Sequence, residues 1–477
     1  MNRVVCVVLL VAGIAACGDD GEVFAVEKLR DPNTCMECHP QHFQQWSGSM
    51  HAYASDDPVF VAMNKRGQRE TGGKLGDFCL KCHAPMALEL GLASGATFDP
   101  ATLPPEARGI TCYFCHNVKQ VVDDHNNGLV LANDQTMRGG LKGAISNRAH
   151  RSAYDTLMDS DVNSSEMCGG CHDIVVPEEI NGVPGGVAVE RTLKEWKTTF
   201  FATSDLPGAR LSCGSCHMPS KTDVVADAPD LQVGARENGY HEHMWPAVDQ
   251  ALSPFPEMTA QADAVARELD GAIAVLGTAP AGGTRPSGGV CLTPFNGGTL
   301  TVRIDGLNIG HKFPSGAAQD RRAWLEVIAY DTMNNVVFQS GVVPDKMDPE
   351  EIGDPELRGY WDQIFKADNT PAHFFWEIVR NDESRLLKQP VTLDKNDPAF
   401  DHSITERFNV SAVASSIDKI TVRVRMRALA FEALRELVAS GDLDAAVLDR
   451  LPTLDIPSTA STWTFATRDT ATGCNQF

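Results

Sequence analysis

The second half of the chain alternates between apolar and polar residues with a period of two. The alternation is regular from Leu300 to Ile304 and again from Ile420 to Met426, where threonine and arginine separate the apolar residues. Such a pattern predicts β-strands with one buried and one solvated face. A hairpin is predicted from Trp324 to Tyr330 and Val336 to Phe338, with its turn at Asn334-Asn335.

The order of these predicted elements indicates the fold class. The strands lie far apart in sequence without a βαβ rhythm, which favours an antiparallel β-sandwich over residues 291–477, with a helix near Phe431 to Ser440. Before it, a stripe of apolar residues with helical spacing predicts a helix that packs on the preceding region: Met258, Ala262, Val265, Leu269 and Ile273. A stretch rich in glycine and proline at 279–289 then marks a domain boundary, so we assign residues 256–290 to a helix and linker.

The start of the chain has the pattern of an export signal. Met1-Asn2-Arg3 is positively charged, and the apolar run from Val4 to Ala16 is too short for a comfortable membrane span. Residues 1–16 are therefore predicted to be a signal peptide. The segment Ile14 to Cys17 resembles a bacterial lipobox, which predicts a lipid on Cys17 and a tether over 17–30. The alternatives are plain cleavage or a retained anchor. We expect an exported lipoprotein, periplasmic or on the outer membrane or cell surface.

Between residues 31 and 255 long periodic segments are few, and one short motif recurs instead. C-x-x-C-H occurs five times, and we number these pentads from first to fifth in chain order. Their cysteines are Cys35 and Cys38, Cys79 and Cys82, Cys112 and Cys115, Cys168 and Cys171, and Cys213 and Cys216. The histidines that follow are His39, His83, His116, His172 and His217.

This pentad suits a covalently attached haem. The two thiols bind the vinyl groups of the porphyrin, and the adjacent histidine binds the iron from the proximal side. Zinc or disulfide sites would use the cysteines, but they would not require a histidine after every second one. We therefore expect five haem c groups in a domain over 31–255, and zinc or disulfide knuckles are the alternative. The core of this domain is expected to be porphyrin, surrounded by short helices and loops.

Nine further histidines exceed the five needed as second axial ligands, which favours irons bound by two histidines. Our candidates for the second ligand are His51, His150, His243 and His311, with His241 as the competitor of His243. His51 lies twelve residues after His39, more than three helical turns, so we expect it to serve a neighbouring haem. Methionine ligation is an alternative from three residues, Met50, Met218 and Met244.

His311 differs from the other candidates because it lies in the predicted sandwich. It belongs to the loop Gly310 to Gly316, in which glycine and proline favour projection of the side chain. We expect His311 to reach across the domain boundary to a haem. Two cysteines outside the pentads, Cys291 and Cys474, are expected to form a disulfide in an oxidising compartment, with two unpaired thiols as the alternative.

The formal net charge of −22 limits the partners that the protein can bind. An acidic surface repels phosphates, so we exclude nucleic acid as a ligand. The same charge favours redox proteins that are basic or locally complementary.

Several motifs resemble one family. The first pentad is followed by W-x-x-S-x-H at Trp46 to His51, and the later pentads lie in GITCYFCH, SSEMCGGCHD and SCGSCHMP, with Glu195-Trp196 before the last. These segments resemble bacterial multihaem c-type cytochromes related to the tetrahaem electron carrier of ammonia oxidation. The segments HMWPAVDQAL and GHKFPSGAAQDRRAWLEV resemble larger exported members in which an Ig-like sandwich follows the haem domain. The resemblance implies distal ligands at His51, His150 and His243.

The expected function is electron transfer along the five haems between exported redox partners, without catalysis. Irons bound by two histidines have no open position, which suits a relay better than a catalyst. One alternative is a multihaem oxidoreductase that acts on a small nitrogen or sulfur compound at one open iron. Another is a structural cytochrome that assembles with other cytochromes through the sandwich.

Overall fold

A computed structural model describes residues 23–144, 149–159, 161–227, 233–275, 290–293, 298–306 and 308–467. The predicted signal peptide, Cys17, the linker at 279–289 and Cys474 lie outside the described residues, so the lipid anchor and the disulfide stay predictions. We divide the described chain into an N-terminal region (residues 23–257) and a C-terminal region (residues 258–467). Among the residues that the structure describes, no helix has both the length and the apolar character needed to cross a bilayer.

The N-terminal region consists of short helices joined by loops. Of its described α-helices, four begin at a proline, whose fixed φ angle suits the first turn and whose missing N–H group costs nothing there. The α-helices are Val26–Arg30, Pro32–Met36, Pro40–Ser47, Met50–Tyr53, Pro58–Glu70, Leu80–His83, Pro85–Glu89, Cys112–His116, Ser165–Gly169, Glu178–Asn181, Thr192–Lys197, Phe200–Thr203 and Cys213–His217.

Small two-stranded sheets, which the sequence pattern did not predict, connect these helices. The antiparallel pairs are Val118–Val121 with Leu129–Leu131, Asp173–Val176 with Val187–Arg191, and Ser220–Asp223 with Arg236–His241. Thr136–Gly139 and Arg151–Tyr154 form a parallel pair. Apolar contacts in this region form several small clusters instead of one core; one surrounds Phe60 and Leu80, and another surrounds Tyr113 and Phe114.

The C-terminal region contains two larger antiparallel sheets. Helix Met258–Leu269 precedes them at the predicted position, although Ile273 belongs to a strand. Within the described residues, the first sheet has the strands Ile273–Val275, Val290–Thr293, Thr299–Gly306 and Ile404–Asn409. The second sheet has the strands Arg322–Tyr330, Val336–Ser340, Arg358–Tyr360, Lys419–Arg427 and Leu454–Thr464. Helix Phe431–Ala439 follows the fourth of these.

One hydrophobic core joins the two sheets. Leu300 and Val302 from the first sheet, Leu325 and Val424 from the second, and Phe431 of the helix all belong to it. The predicted strands, hairpin and helix are thus confirmed as elements. The Ig-like sandwich stays a prediction.

One detail of the predicted pattern is wrong. The strand Thr299–Gly306 was expected to expose its polar residues, but Thr301 and Asp305 are buried. Asp305 can be buried because His402 lies 3.3 Å from its carboxylate, so the charge keeps a polar partner.

Helix Pro58–Glu70 joins the two regions. Its residues Val59 and Ala62 belong to the core of the C-terminal region. Gly67 allows the close approach, because a Cβ atom there would lie 2.8 Å from the ring of Trp376. Arg66 also lies 3.3 Å from the carboxylate of Glu436 in the C-terminal region. The two regions therefore share both apolar and charged contacts.

Candidate haem-binding sites

Each pentad forms or adjoins a short helical turn that holds both thiols and the histidine close together. The third and fifth pentads coincide with the helices Cys112–His116 and Cys213–His217. Both helices are capped by a hydroxyl group: Thr111 accepts a hydrogen bond from the N–H of Phe114, and Ser212 accepts one from Ser215. The caps therefore fix the first turn of each helix, which starts at the first cysteine of the pentad.

The histidines of the pentads are oriented by the backbone. Nδ1 of His39 lies 2.8 Å from the carbonyl oxygen of Val225, and Nδ1 of His116 lies 2.6 Å from that of Arg138. The equivalent distances are 3.2 Å for His83 with Ala54 and 2.9 Å for His217 with Pro246. A carbonyl can only accept, so Nδ1 donates its proton and Nε2 keeps the lone pair that binds a metal.

His172 of the fourth pentad has a different neighbour. Its Nδ1 lies 3.7 Å from a carboxylate oxygen of Glu190. Burial opposes protonation, but Glu190 raises the pKa of His172 above its ordinary value. A nearby carboxylate makes an imidazole a stronger electron donor, so the fourth pentad offers a more basic ligand. His217 of the fifth pentad also has a carboxylate near Nδ1, because Glu268 lies 3.6 Å away.

Four pentad histidines face a second histidine among the described residues. The ring centres are 6.3 Å apart for His39 and His150, 6.3 Å for His116 and His243, 6.4 Å for His217 and His311, and 6.1 Å for His172 and His51. The ring planes of the first three pairs differ by 25°, 16° and 7°, whereas those of His172 and His51 differ by 63°. Four of the five candidate second ligands are thus brought to a pentad histidine.

The separations can be tested against the size of a metal site. A histidine nitrogen lies about 2 Å from its metal and the ring centre about 1 Å further, so two axial histidines have centres about 6 Å apart. All four pairs match this spacing. Beside the first pentad, a cavity of about 720 Å³ is lined by Cys38, His39 and the segment 223–227. The arrangement therefore fits haem, with the cysteines for attachment and the histidine pairs for the iron.

The second histidines are also prepared for metal binding. His150, His243 and His311 lie 3.1, 2.8 and 2.7 Å, measured from Nδ1, from backbone carbonyl oxygens. Burial lowers the pKa of His51 to about 3 and that of His311 to about 4. Both rings are therefore neutral at neutral pH and keep an unprotonated nitrogen.

The second pentad is the exception. The ring of His83 lies parallel to that of Phe60, with centres 4.2 Å apart and planes within 3°. Among the described residues, no histidine ring contacts that of His83. His241, the fifth candidate, instead lies with Nδ1 3.1 Å from the carbonyl oxygen of Met218. The structure thus does not bring a fifth histidine to the second pentad.

Contacts between thiols show which pentads are neighbours. Cys35 of the first contacts Cys112 of the third, Cys82 of the second contacts Cys171 of the fourth, and Cys168 of the fourth contacts Cys213 of the fifth. Asn127 also joins two pentads: its N–H lies 2.5 Å from the carbonyl oxygen of Gly170, and its amide donates to that of Lys81. The fourth pentad therefore lies between the second and the fifth.

Trp245 is a site residue that sequence reasoning missed. Its ring lies 4.7 Å from that of His51 and 5.0 Å from that of His243, so it separates two candidate ligands of different pentads. Its φ angle is 45°, a left-handed value that costs a large residue about 1–3 kcal/mol. Such a backbone conformation persists only where the surrounding structure holds it. The motif HMW was visible in the sequence, but the strained angle was not.

His42 was not among the candidate ligands, yet it lies between two of them. Its ring is 5.9 Å from His39 and 4.7 Å from His243, and it stacks on Tyr240 at 4.2 Å. Burial lowers its pKa to about 3, so it is neutral. Three other histidines have carboxylate partners: His125 with Asp123, His373 with Glu436, and His402 with Asp305.

Comparison with known proteins shows which class of protein this chain resembles. A solved structure, the crystal structure of a penta-heme cytochrome c552 from Thermochromatium tepidum, matches with a TM-score of 0.56 and 18% identity, covering 90% of this chain and 97% of its own. The chain thus shares the fold of a multihaem cytochrome. The family model of cytochrome c554 and c-prime matches residues 34–117, which include the first three pentads. No curated protein matches the chain.

Both matches support a multihaem c-type cytochrome, which confirms the expected resemblance at that level.

Proposed function

We propose that the protein carries five haem c groups and transfers electrons between exported redox partners. The observation that carries this proposal is the set of four histidine pairs, each with one member in a C-x-x-C-H pentad and ring centres 6.1–6.4 Å apart. Two histidines at this spacing would hold one iron between them, which favours transfer of electrons over binding of a substrate. When bound, haem supplies reversible one-electron chemistry.

The chain itself holds the attachment points close together. The thiol contacts join the first pentad to the third, the second to the fourth, and the fourth to the fifth. Trp245 lies between the partners of His116 and His172, which belong to the third and fourth pentads. These neighbours support a branched path in which the fourth pentad connects three others.

The proposal also includes location and partners. The predicted signal peptide, the lipobox-like segment that ends at Cys17 and the acidic net charge of −22 support an exported, membrane-tethered carrier that meets basic or locally complementary redox proteins. Assembly with other cytochromes through the C-terminal region would extend the path. Nucleic acid is not a proposed partner.

The test is to count and titrate the haems. Mass spectrometry of the mature full chain is expected to show five haems, and potentiometry is expected to resolve five one-electron centres. A protein that matured without colour, or whose mass matched the bare polypeptide, would contradict the proposal.

A second function is favoured by the second pentad. No described histidine ring contacts that of His83, so an iron held there would have no second histidine, and an open position at that iron is what an oxidoreductase of a small nitrogen or sulfur compound requires. Carbon monoxide is the suitable probe, and the expected result is one equivalent bound per protein. An enzyme would also bind nitrite or hydroxylamine at the iron held by His83, so either compound should change the high-spin signal of that iron. In an electron carrier the same signal should stay unchanged.

A further inference from the structure

Helix Thr192–Lys197 of the N-terminal region lies against the loop 310–316 of the C-terminal region. The carboxylate of Glu195 is only 7% exposed and points into this loop. One of its oxygens accepts two hydrogen bonds, from the N–H of Lys312 at 3.1 Å and from the hydroxyl of Ser315 at 2.7 Å. A buried carboxylate is costly unless it is hydrogen-bonded, so these two bonds tie the loop to the helix.

Thr192, one turn earlier on the same helix, holds the far end of the loop. Its hydroxyl lies 3.0 Å from that of Ser315 and accepts the N–H of Gly316 at 3.1 Å. Residues three apart on a helix lie on the same face, so Thr192 and Glu195 contact the loop together.

Trp196 fixes the other side of this helix. Its indole N–H donates to the carbonyl oxygen of Leu211 at 3.0 Å, two residues before Cys213 of the fifth pentad. Gly310 lies beside the same indole, because a Cβ atom at that position would be 3.6 Å from the ring. The helix therefore contacts both the loop and the residues that lead into the fifth pentad.

His311 is enclosed by these contacts. Gly310 precedes it, and Lys312, whose N–H is held by Glu195, follows it. Nδ1 of His311 lies 2.7 Å from the carbonyl oxygen of Lys312, so the backbone that Glu195 fixes also orients the imidazole. The result is a ring 6.4 Å from that of His217 with planes within 7°.

We propose that Glu195 is a positioning residue that places His311 opposite His217, so that the C-terminal region would supply the second ligand of the fifth haem. This inference rests on the proposed haem ligation. The C-terminal region would then contribute a ligand to the haem chain, and Glu195 would make the contact that holds this ligand in place.

The test compares haem-loaded full-length variants by electron paramagnetic resonance and by titration with carbon monoxide. His311→Ala and Glu195→Ala are each expected to convert one low-spin iron to high spin and to bind one more equivalent of carbon monoxide than the wild type. Glu195→Gln is expected to behave as the wild type, because its amide oxygen can accept both hydrogen bonds. Lys197→Ala, on the same helix but without contact to the loop, is the matched control and is expected to change neither signal.

Several outcomes would overturn the proposal. If His311→Ala raised the high-spin signal and Glu195→Ala did not, Glu195 would have no positioning role. The same conclusion holds if Glu195→Ala lowered thermal stability while the high-spin signal stayed at the wild-type level. An unchanged spin state in His311→Ala would remove His311 as a ligand. A wild type without haem would instead refute the proposed function, and mass spectrometry separates that case.

Milder variants cover the case in which Glu195→Ala does not mature. Ser315→Ala removes one donor to Glu195, and Thr192→Val removes the acceptor of Gly316. Each is expected to give a partial high-spin signal with the same line shape as His311→Ala. If both matured with no high-spin fraction beyond that of the wild type, the proposal would be wrong.

Discussion

The two regions of the molecule are held together by different kinds of contact. In the C-terminal region one hydrophobic core contains side chains from both sheets and from helix Phe431–Ala439. In the N-terminal region the apolar clusters are small, and the histidine pairs are separated by distances that direct packing does not fill. The comparison teaches that the C-terminal region can be stabilised by its own side chains, whereas the N-terminal region requires bound groups between its side chains.

The largest expected effect follows from removing a bound group at the centre of the N-terminal region. The fourth pentad contacts two others, whereas the contact that we find for the first reaches the third alone. Cys168→Ser combined with Cys171→Ser is expected to remove one haem and to destabilise this region by more than the ~2–5 kcal/mol of a single core deletion. Mass spectrometry and thermal unfolding followed by haem absorbance measure both effects.

The matched control is Cys35→Ser with Cys38→Ser, which also removes one attachment site. It is expected to lower the unfolding temperature less than the change at the fourth pentad. Equal effects of the two double variants would show that the central position of the fourth pentad has no energetic consequence.

A deletion in the C-terminal core is expected to have the next largest effect. Leu325 is fully buried in the strand Arg322–Tyr330, so Leu325→Ala should lower the free energy of unfolding by about 3 kcal/mol. Urea unfolding followed by tryptophan fluorescence measures this loss, and Leu393→Ala, 49% exposed, is the control. The haem spectrum of the folded variant should match the wild type. A spectrum that changed at several irons would contradict the division between the regions.

The same comparison explains which elements could be predicted from sequence. Strands such as Lys419–Arg427 follow from alternation, because burial of one face imposes a period of two. The small sheets of the N-terminal region could not be predicted, since most of their strands have only three or four residues, too few to show a period. The burial of Thr301 and Asp305 also depends on tertiary contacts, which a local sequence pattern does not reveal.

The candidate site shows the same limit. Its pentads are readable because the chemistry requires a fixed spacing. The sequence indicates that His51 and His311 are ligands, but it does not show which pentad histidine each of them faces. The fold places them opposite His172 and His217. Phe60 beside His83 gave no signal in the sequence, because an aromatic residue on a helix is most often part of a core.

The pH dependence of stability sharpens the comparison further. Burial raises the pKa of Asp320, in the C-terminal region, to about 6 from 3.8, against the opposing effect of Arg321 and Arg322. The folded state then binds the proton more tightly than the unfolded chain, so the contribution stabilises below about pH 4 and is lost as the pH rises through 6. Asp320→Asn is expected to be more stable than the wild type at pH 7.5, by at most about 3 kcal/mol.

Urea unfolding at pH 4.5 and 7.5 tests this sign. At pH 4.5 the advantage of Asp320→Asn should be much smaller than at pH 7.5, and the exposed Asp394→Asn should show no such change. An advantage that grew as the pH fell would mean that Asp320 is stabilised as a carboxylate.

The smallest expected effect concerns the ligands and leaves the fold intact. The ring of Trp245 contacts His51 and His243, so Trp245→Leu should alter the orientation of two imidazoles that belong to different pentads. We expect two low-spin resonance signals to move and two midpoint potentials to shift by on the order of tens of millivolts, with the other centres unchanged. Trp463→Leu is the control, because Trp463 lies in the core of the C-terminal region, on the strand Leu454–Thr464. A shift at only one centre, or at all of them, would show that Trp245 does not couple these two ligands.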